Sequence, residues 1–186
     1  QKLGSVLTKD LKVSDTEVTD EYKKEFEHIK IAYFIITPKS AIDRVKLDEN
    51  AARDFYDKHK SELIIKSNLK GAIPDRQATF EESKESIENH LKETEARIII
   101  SKDAEDIYKK LVARVENKGD GFGKAASSLG FEVKNSALLS RGDNLEDIGP
   151  VSRVIDSSSN LKDFEISKPM EVKDGYIIFE IAGRQG

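Results

Sequence analysis

Apolar residues recur at helical spacing in two related segments of the first third of the chain. In the first, Ser14 precedes an acid three residues on, the arrangement of a capping box that starts a helix. The apolar face of that helix then carries Val18, Tyr22 and Phe26. Residues 47–56 repeat the layout thirty-four residues later, with Asp48 in the capping position. The pattern predicts two short helices of the same design.

Between these helices, residues 29–36 alternate and then run apolar. The segment is rich in β-branched and aromatic side chains and is closed by Pro38, which predicts a half-buried strand. After the second helix, residues 66–78 are polar, contain glycine and proline and follow neither period, so they are predicted to form a loop.

A long helix is predicted from Thr79, which can cap it with Glu82 three residues on. Its apolar positions keep to helical spacing: Phe80, Ile87, Leu91, Ile98, Ala104, Ile107, Tyr108 and Leu111. The weak point is residues 97–101, where three successive isoleucines would also suit a short strand. Helix is the preferred prediction there, with a break near Ser101 as a further possibility.

Glycine and serine become frequent beyond Asn117, and the pattern changes to short elements. It predicts a helix over 122–129 ended by Gly130, a strand over 131–134, a helix over 150–155 and a strand over 176–182. These make a compact α+β lobe, which we expect to share its sheet with residues 29–37.

Composition narrows the class of protein without naming one. The chain has 186 residues, 37% apolar content and mixed charges that sum to −4, which excludes the concentrated basic face of a nucleic-acid binder. It has no cysteine and no apolar run long enough to cross a membrane. Because it begins at Gln1 without a methionine, we expect a mature or excised fragment whose targeting or anchoring segment lies upstream.

The C-terminal motifs resemble the back half of a parvulin-type prolyl isomerase domain. In order, they are Gly-Asp-Gly-Phe-Gly-Lys-Ala-Ala at 119–126, Ser-Arg-Gly-Asp at 140–143, the segment 162–172 and Asp-Gly-Tyr-Ile-Ile-Phe-Glu-Ile at 174–181. In parvulins a histidine usually follows the Gly-Tyr pair and a second histidine lies in the first strand, whereas Ile177 follows Tyr176 here. The resemblance implies a parvulin shape without its catalytic imidazoles.

The rest of the chain looks like the family of bacterial secretion chaperones that contains SurA, PpiD and PrsA, most of all PpiD-like proteins. The matching segments are 13–18, 29–35, 55–63, 79–87 and the tail from 130. In PpiD-like relatives a complete parvulin domain lies between the positions of Leu63 and Phe80, where this chain has only a loop. The resemblance implies an α+β fold with a helical SurA-like chaperone module over 1–116, interrupted by the 63–80 loop, and a degenerate parvulin-like lobe over 117–186.

Catalysis by the chain itself is not expected, although the family includes isomerases and the question of enzyme activity stays open. Prolyl isomerisation must lower a barrier of about 18–20 kcal/mol, and the resemblance implies a histidine cluster for that task. We interpret His28, His59 and His90 as solvated residues on polar helix faces or ends, none of them in the C-terminal lobe. No metal site, cofactor or catalytic residue is predicted.

Client binding is the preferred function, since a chaperone needs exposed apolar surface with polar surroundings. The candidate contacts are Phe26, Tyr33, Phe34, Phe55, Tyr56, Leu63, Ile64, Ile65 and Ile73. We expect most of them to belong to the core and only two or three to be exposed. Ile64, Ile65 and Ile73, near the point where a parvulin domain would attach, are the best candidates for exposure.

The resemblance implies partners and a location as well. Unfolded or nascent exported polypeptides would be the clients, with the secretion translocon as a further partner. The protein would lie in the periplasm, anchored to the inner membrane only through a segment upstream of this chain. A working prolyl isomerase and a scaffold near the secretion machinery remain as alternatives.

Overall fold

The protein has an α+β fold, and its computed structural model describes residues 28–66 and 75–185. The first predicted helix, with Phe26, and the loop residue Ile73 lie outside the described residues. Two compact units are present. Unit 1 contains residues 28–35, 107–173 and 177–185, and unit 2 contains residues 36–66, 75–106 and 174–176. The predicted module boundary at 116/117 follows the sequence motifs and stays a prediction.

Unit 1 is built on a four-stranded sheet in the order β4-β1-β8-β7. The strands are β1 (His28–Ile36), β4 (Lys134–Asn135), β7 (Met170–Val172) and β8 (Gly175–Gln185). The two long central strands confirm the predicted strands at 29–36 and 176–182 and their shared sheet. β4 is antiparallel to β1, with Asn135 opposite Ala32. The predicted strand over 131–134 is wrong at 131–133, since only Lys134 belongs to β4.

Large aliphatic and aromatic side chains fill the core of unit 1. The central members come from β1, β8 and a short helix, α4 (Ser152–Ser158), and include Ile29, Ile31, Val154, Ile177 and Phe179. Phe34 stacks on Phe131 with ring centroids 4.5 Å apart and on Phe122 at 5.9 Å. Burial of this kind gives roughly 25 cal/mol per Å² of apolar surface, so it is the main stabilising contribution in unit 1.

The short elements of unit 1 agree closely with the sequence pattern. Helix α3 (Phe122–Ser128) confirms the predicted helix, and Gly130 ends it with a φ of +89°. Helix α4 begins two residues later than predicted. A small two-stranded sheet pairs β5 (Asn144–Leu145) with β6 (Gly149–Pro150).

Unit 2 begins with two 3-10 turns, Pro38–Ser40 and Ile42–Arg44, and continues with helix α1 (Ala51–His59). The predicted role of Asp48 as the cap of α1 is wrong, because Asn50 occupies that position. The Asp48 carboxylate instead accepts a hydrogen bond of 2.8 Å from the backbone N–H of Asn50. Asp48 therefore closes a local Asx turn just before the helix, a competing use of the same side chain.

A two-stranded hairpin follows α1 and corrects the prediction that residues 66–78 are entirely loop. Strand β2 (Ile64–Ile65) pairs with β3 (Arg76–Gln77), with Ile64 opposite Gln77. The two polar residues of β3 have no strand pattern of their own. Their pairing depends on a partner from another part of the chain, which a local pattern cannot show.

Helix α2 (Phe80–Lys118) runs without interruption for 39 residues, so the alternative strand at 97–101 and the break near Ser101 are both wrong. Ala96, Ile100 and Ala104 are fully buried on one side of the helix, whereas Ile98 is 51% exposed. Burial at helical spacing therefore outweighs the preference of successive isoleucines for a strand. The predicted capping box is confirmed, since Thr79 N–H donates to the Glu82 carboxylate at 2.8 Å.

Candidate functional site

An aromatic face in unit 2 forms around the end of α1 and the start of α2. The Phe55 ring stacks on His59 at 4.4 Å and meets the ring of His90 at 5.6 Å. Tyr56 meets Phe80 edge-on at 5.6 Å. We call these five residues the aromatic face. Helical spacing explains the Phe55–His59 stack, because residues four apart on α1 lie on one side of the helix.

The Phe80 ring is also covered by a cation. The guanidinium carbon of Arg53 lies 4.6 Å from the centre of that ring, a distance typical of a cation–π contact. Beside it is a shallow cleft of about 400 Å³, lined by Arg53, Tyr56, Asp57, Gln77, Ala78, Thr79 and Phe80. The cleft combines aromatic surface with charged groups of both signs.

The hairpin β2–β3 is tied to the aromatic face through the backbone of Ala78. The N–H of Ala78 donates to the carbonyl of Leu63 at 2.7 Å, and its carbonyl accepts the hydroxyl of Tyr56, also at 2.7 Å. Ala78 is itself buried. These two bonds fix the position of the hairpin relative to α1.

Charged groups hold the other side of the hairpin against the start of α2. The guanidinium of Arg76 donates to both carboxylate oxygens of Glu82, at 2.9 and 2.5 Å. These bonds, together with those from Thr79, hold the pKa of Glu82 far below its usual range. Glu82 thus serves the helix cap and the hairpin at once, and it is ionised at all physiological pH values.

The hairpin exposes both of its isoleucines. Ile64 is 47% and Ile65 38% exposed, which confirms the expected exposure of these two residues. Neighbouring residues of a strand point to opposite faces, so part of each face of this hairpin is open to solvent. The contribution of Ile64 and Ile65 to client binding stays a prediction.

The remaining predicted contact residues divide by burial. In unit 2, Phe55, Tyr56 and Leu63 are half-buried next to the hairpin. In unit 1, Tyr33 and Phe34 are buried core residues with 6% and 2% exposure. Among the described members of the set they are the only buried ones, so the expectation that most of the set belongs to the core is wrong. Burial leaves Phe34 no surface to offer a client. Arg53, Phe80 and His90 were not predicted, and only the apolar position of Phe80 gave a signal in the sequence.

The prediction for His28 is wrong. It is the first residue of β1, in unit 1 with the C-terminal lobe, and its Nδ1 lies 2.8 Å from Ser140 Oγ. The other two histidines lie on helices and keep exposed surface, as predicted, and they also flank the Phe55 ring. The helical spacing of the residues before His28 suggested a helix end at this position. The His28 side chain is instead held by its contact with Ser140, 112 positions further along the chain.

The Gly-Tyr pair of β8 occupies a tight position. Gly175 has a φ of +150°, and a Cβ at this residue would lie 2.1 Å from the carbonyl oxygen of Ile36. The following residue, Ile177, is fully buried in the core of unit 1. A side chain at position 177 therefore packs in the core and is not on the surface.

Another cleft of unit 2, of about 450 Å³, has a mixed lining that favours no single ligand. It is formed by Thr37, Pro38, Lys39, Ile42, Asn89, Lys92, Glu93, Arg97 and Asp174. Glu93 and Arg97 form an ion pair of 3.5 Å within it. In the described ranges 28–66 and 75–185, no three His, Cys, Asp or Glu side chains are grouped closely enough to hold a metal ion.

Comparison with known proteins relates the chain to a foldase. It is similar to "Foldase protein PrsA" of Geobacillus sp. (strain WCH70), with 28% identity over 186 positions that cover 97% of this chain and 60% of the relative. The chain thus spans about three fifths of that relative's length. No family model and no solved structure matches. The similarity supports a distant relation to the foldase family and does not single out its SurA or PpiD branch.

None of the helices in the described residues is long and apolar enough to cross a membrane.

Proposed function

We propose that this chain is the client-binding part of a folding factor that holds exported, unfolded polypeptides without catalysing a reaction. The observation that carries this proposal is the hairpin β2–β3, which exposes Ile64 and Ile65 on opposite faces. A two-stranded hairpin is only marginally stable by itself, so leaving its apolar side chains uncovered has a cost in stability that a binding role would explain.

The surroundings of the hairpin suit a holdase. The aromatic face next to it presents rings that can contact many sequences, because stacking and apolar contact depend little on the order of side chains. Exposed charged residues, including Glu62, Lys66 and Arg76, border the two isoleucines. Such a polar border keeps an apolar patch soluble between binding events.

Location and partners follow as part of the proposal. The foldase relation supports a place outside the cytoplasm, and we place the protein in the periplasm, held at the inner membrane by an anchor that is not part of this chain. Nascent polypeptides leaving the secretion translocon would be its first clients. The relation to PrsA supports this only at the level of foldases in general.

Prolyl isomerisation is the second candidate, and one observation favours it. His28 lies on β1, the strand next to β8, which carries Gly175-Tyr176. The parvulin resemblance implies a histidine in the first strand, so one of the two expected imidazoles has a counterpart. The His28 ring lies beside a hydroxyl oxygen, that of Ser140, and an imidazole needs such a partner to hold a defined tautomer.

Two assays on the same chain test these functions: suppression of aggregation of an unfolded outer-membrane protein, followed by light scattering, and protease-coupled isomerisation of a short X-Pro peptide. Suppression without isomerisation supports the proposal. Isomerisation that is lost in His28→Ala would replace it with the second candidate. Inactivity in both assays would contradict both and leave a scaffold near the secretion machinery.

Substitution of the hairpin sharpens the first assay. The double variant Ile64→Asp/Ile65→Asp should raise the concentration needed for half-maximal protection about tenfold, equivalent to about 1.4 kcal/mol of lost apolar contact. Ile98→Asp is the matched control, since Ile98 has similar exposure in the same unit but lies on α2. Equal loss of protection in both variants would show that the hairpin has no special role.

A further inference from the structure

A second apolar cleft lies in unit 1, away from the hairpin residues in the sequence. It has a volume of about 280 Å³ and is lined by Tyr108, Val112, Val115, Glu116, Phe164, Glu165 and Ile166. We call it the Phe164 cleft. Its floor comes from α2, where Tyr108, Val112 and Val115 recur at helical spacing and are each only half-buried.

Phe164 stands at this cleft in an unusual conformation. Its φ is +64°, and outside glycine no other described residue has a positive φ. It is the third residue of a four-residue turn closed by a hydrogen bond of 3.1 Å from Glu165 N–H to the Lys162 carbonyl. A positive φ in the third position of a turn normally requires glycine or asparagine, so phenylalanine is strained there.

The surrounding bonds hold this strained turn in place. Phe164 N–H donates to the carbonyl of Ile181 on β8 at 3.0 Å, and Lys162 N–H donates to the Glu165 carboxylate at 2.8 Å. The Phe164 ring nevertheless remains 71% exposed. The turn therefore fixes a large aromatic side chain in solvent at a cost in backbone strain. Strain of this kind concentrates at functional positions.

The size and charge of the Phe164 cleft identify what it can bind. Drug-sized ligands and cofactors occupy pockets of about 300–1,000 Å³, so this cleft suits one apolar side chain of a longer molecule. Its only charged lining residues, Glu116 and Glu165, are both acidic. Within the described part of the chain, the Glu116 carboxylate makes no hydrogen bond or ion pair, which leaves it available to a cation.

We propose that the Phe164 cleft is a second client subsite, which takes an aromatic or large aliphatic side chain flanked by lysine or arginine in an unfolded polypeptide. This specificity rests on the proposed holdase function and adds a substrate class to it. The apolar side chain packs between Phe164 and the α2 floor, and the flanking cation approaches Glu116. Charge complementarity at the edge of the cleft sets the preference among clients.

Binding of three short fluorescent peptides to the full chain, measured by anisotropy, tests the subsite. The first peptide has a central Phe flanked by Arg, the second replaces each Arg by Glu, and the third replaces the Phe by Gly. The first should bind about tenfold more tightly than either of the others, because each lacks one of the two contacts. Equal binding of all three would overturn the proposal.

Variants of the cleft separate binding from folding. Phe164→Gly should weaken the first peptide about tenfold while thermal stability stays level or rises, because relief of the positive φ offsets the greater freedom of glycine in the unfolded chain. Phe164→Leu keeps an apolar side chain and should retain binding. A purely structural Phe164 predicts the reverse, with lost stability and unchanged binding, and that result would overturn the proposal.

Reversal of the charge at Glu116 is the last test of the subsite. Glu116→Lys should weaken the Arg-flanked peptide and strengthen the Glu-flanked one, whereas the control Glu171→Lys, an exposed acid on β7 outside the cleft, should change neither. Equal effects of the two variants would indicate net charge alone and contradict the subsite.

If wild type suppresses aggregation but the cleft variants bind normally, the subsite fails and the holdase function stands. If the peptide results hold without any aggregation suppression, the cleft is a peptide site and the holdase function fails.

Discussion

The two units of this protein are stabilised in different ways. Unit 1 buries large side chains such as Phe34, Ile177 and Phe179, whereas the buried apolar residues of unit 2 are mostly alanines, with a few isoleucines. Both units carry ion pairs at their surfaces, such as Arg76–Glu82 in unit 2 and Arg141–Asp156 in unit 1, so the difference lies in the buried side chains. Exposed ion pairs contribute little, typically up to about 1 kcal/mol each.

The difference in the size of the buried side chains indicates what kind of binding surface each unit can carry. A unit with a large apolar core tolerates a strained turn, such as that of Phe164, because the loss is small against the stability of the core. A unit whose buried side chains are mostly small has fewer buried apolar contacts, so it opens more readily and can leave apolar residues uncovered. Three experiments test this contrast between the two units.

Phe179→Ala should cause the largest loss. Phe179 is fully buried in the core of unit 1, so truncation removes apolar contacts and leaves a cavity, at a cost of about 3–5 kcal/mol. Urea unfolding followed by circular dichroism measures the loss. Ile98→Ala, at an exposed position of α2 in unit 2, is the control and should change stability by less than about 0.5 kcal/mol. Similar losses in both variants would refute the assignment of the core.

Gly175→Ala should cost about 1–3 kcal/mol, because the new Cβ would collide with the carbonyl oxygen of Ile36 and β8 must shift to admit it. Gly123→Ala is the matched control, since Gly123 lies within helix α3 and a Cβ there meets nothing within 4 Å. This control should be stabilised by roughly 0.5–1 kcal/mol. Thermal unfolding of both variants checks the pair, and a tolerated Gly175→Ala would contradict the close approach of β8 to the end of β1.

The third experiment uses two glutamates with opposite pKa shifts. Burial raises the pKa of Glu180 on β8, so its ionised form destabilises the fold at neutral pH, and this cost disappears as the pH falls through the raised pKa. Glu180→Gln should therefore stabilise the protein modestly at pH 7, with a gain that shrinks in acid. Stability measured by urea unfolding between pH 7 and pH 3 follows the change.

Glu82→Gln should act in the opposite direction. The bonds from Arg76 hold the pKa of Glu82 below its usual value of 4.5, so the stabilisation is present above that pH and is lost as the pH falls through the lowered pKa. The variant should be less stable than wild type at pH 7 and equal to it in strong acid. Salt at 1 M should weaken this effect, since the pair is exposed, and should leave that of Glu180 in place. The same sign for both variants would contradict the contrast between the units.

Much of the fold could be predicted from local pattern. The strand at 29–36, the capped helix from Thr79 and the helix ended by Gly130 all have strong periodicity or specific cap residues, and the structure confirms them. The predictions failed where local signals competed. Asp48 suits both a cap and an Asx turn, and residues 97–101 suit both helix and strand.

The candidate site could be predicted only in part. Their position near the point where a parvulin domain would attach gave a reason to expect exposure of Ile64 and Ile65, and both are exposed. Nothing local showed that Arg53 covers Phe80 or that His90 meets Phe55, because these contacts join residues far apart in the sequence.

The α+β class, the long helix and the apolar residues available for a core can all be predicted from the sequence alone, because they depend on periodicity and composition. Tertiary structure decided which of those residues remain exposed, where His28 lies and which backbone positions are strained. The φ of Phe164 is the clearest case. A phenylalanine in a polar turn gives no local sign of a left-handed backbone conformation. Here that conformation is held by a hydrogen bond from Phe164 N–H to the carbonyl of Ile181, on a strand further along the chain.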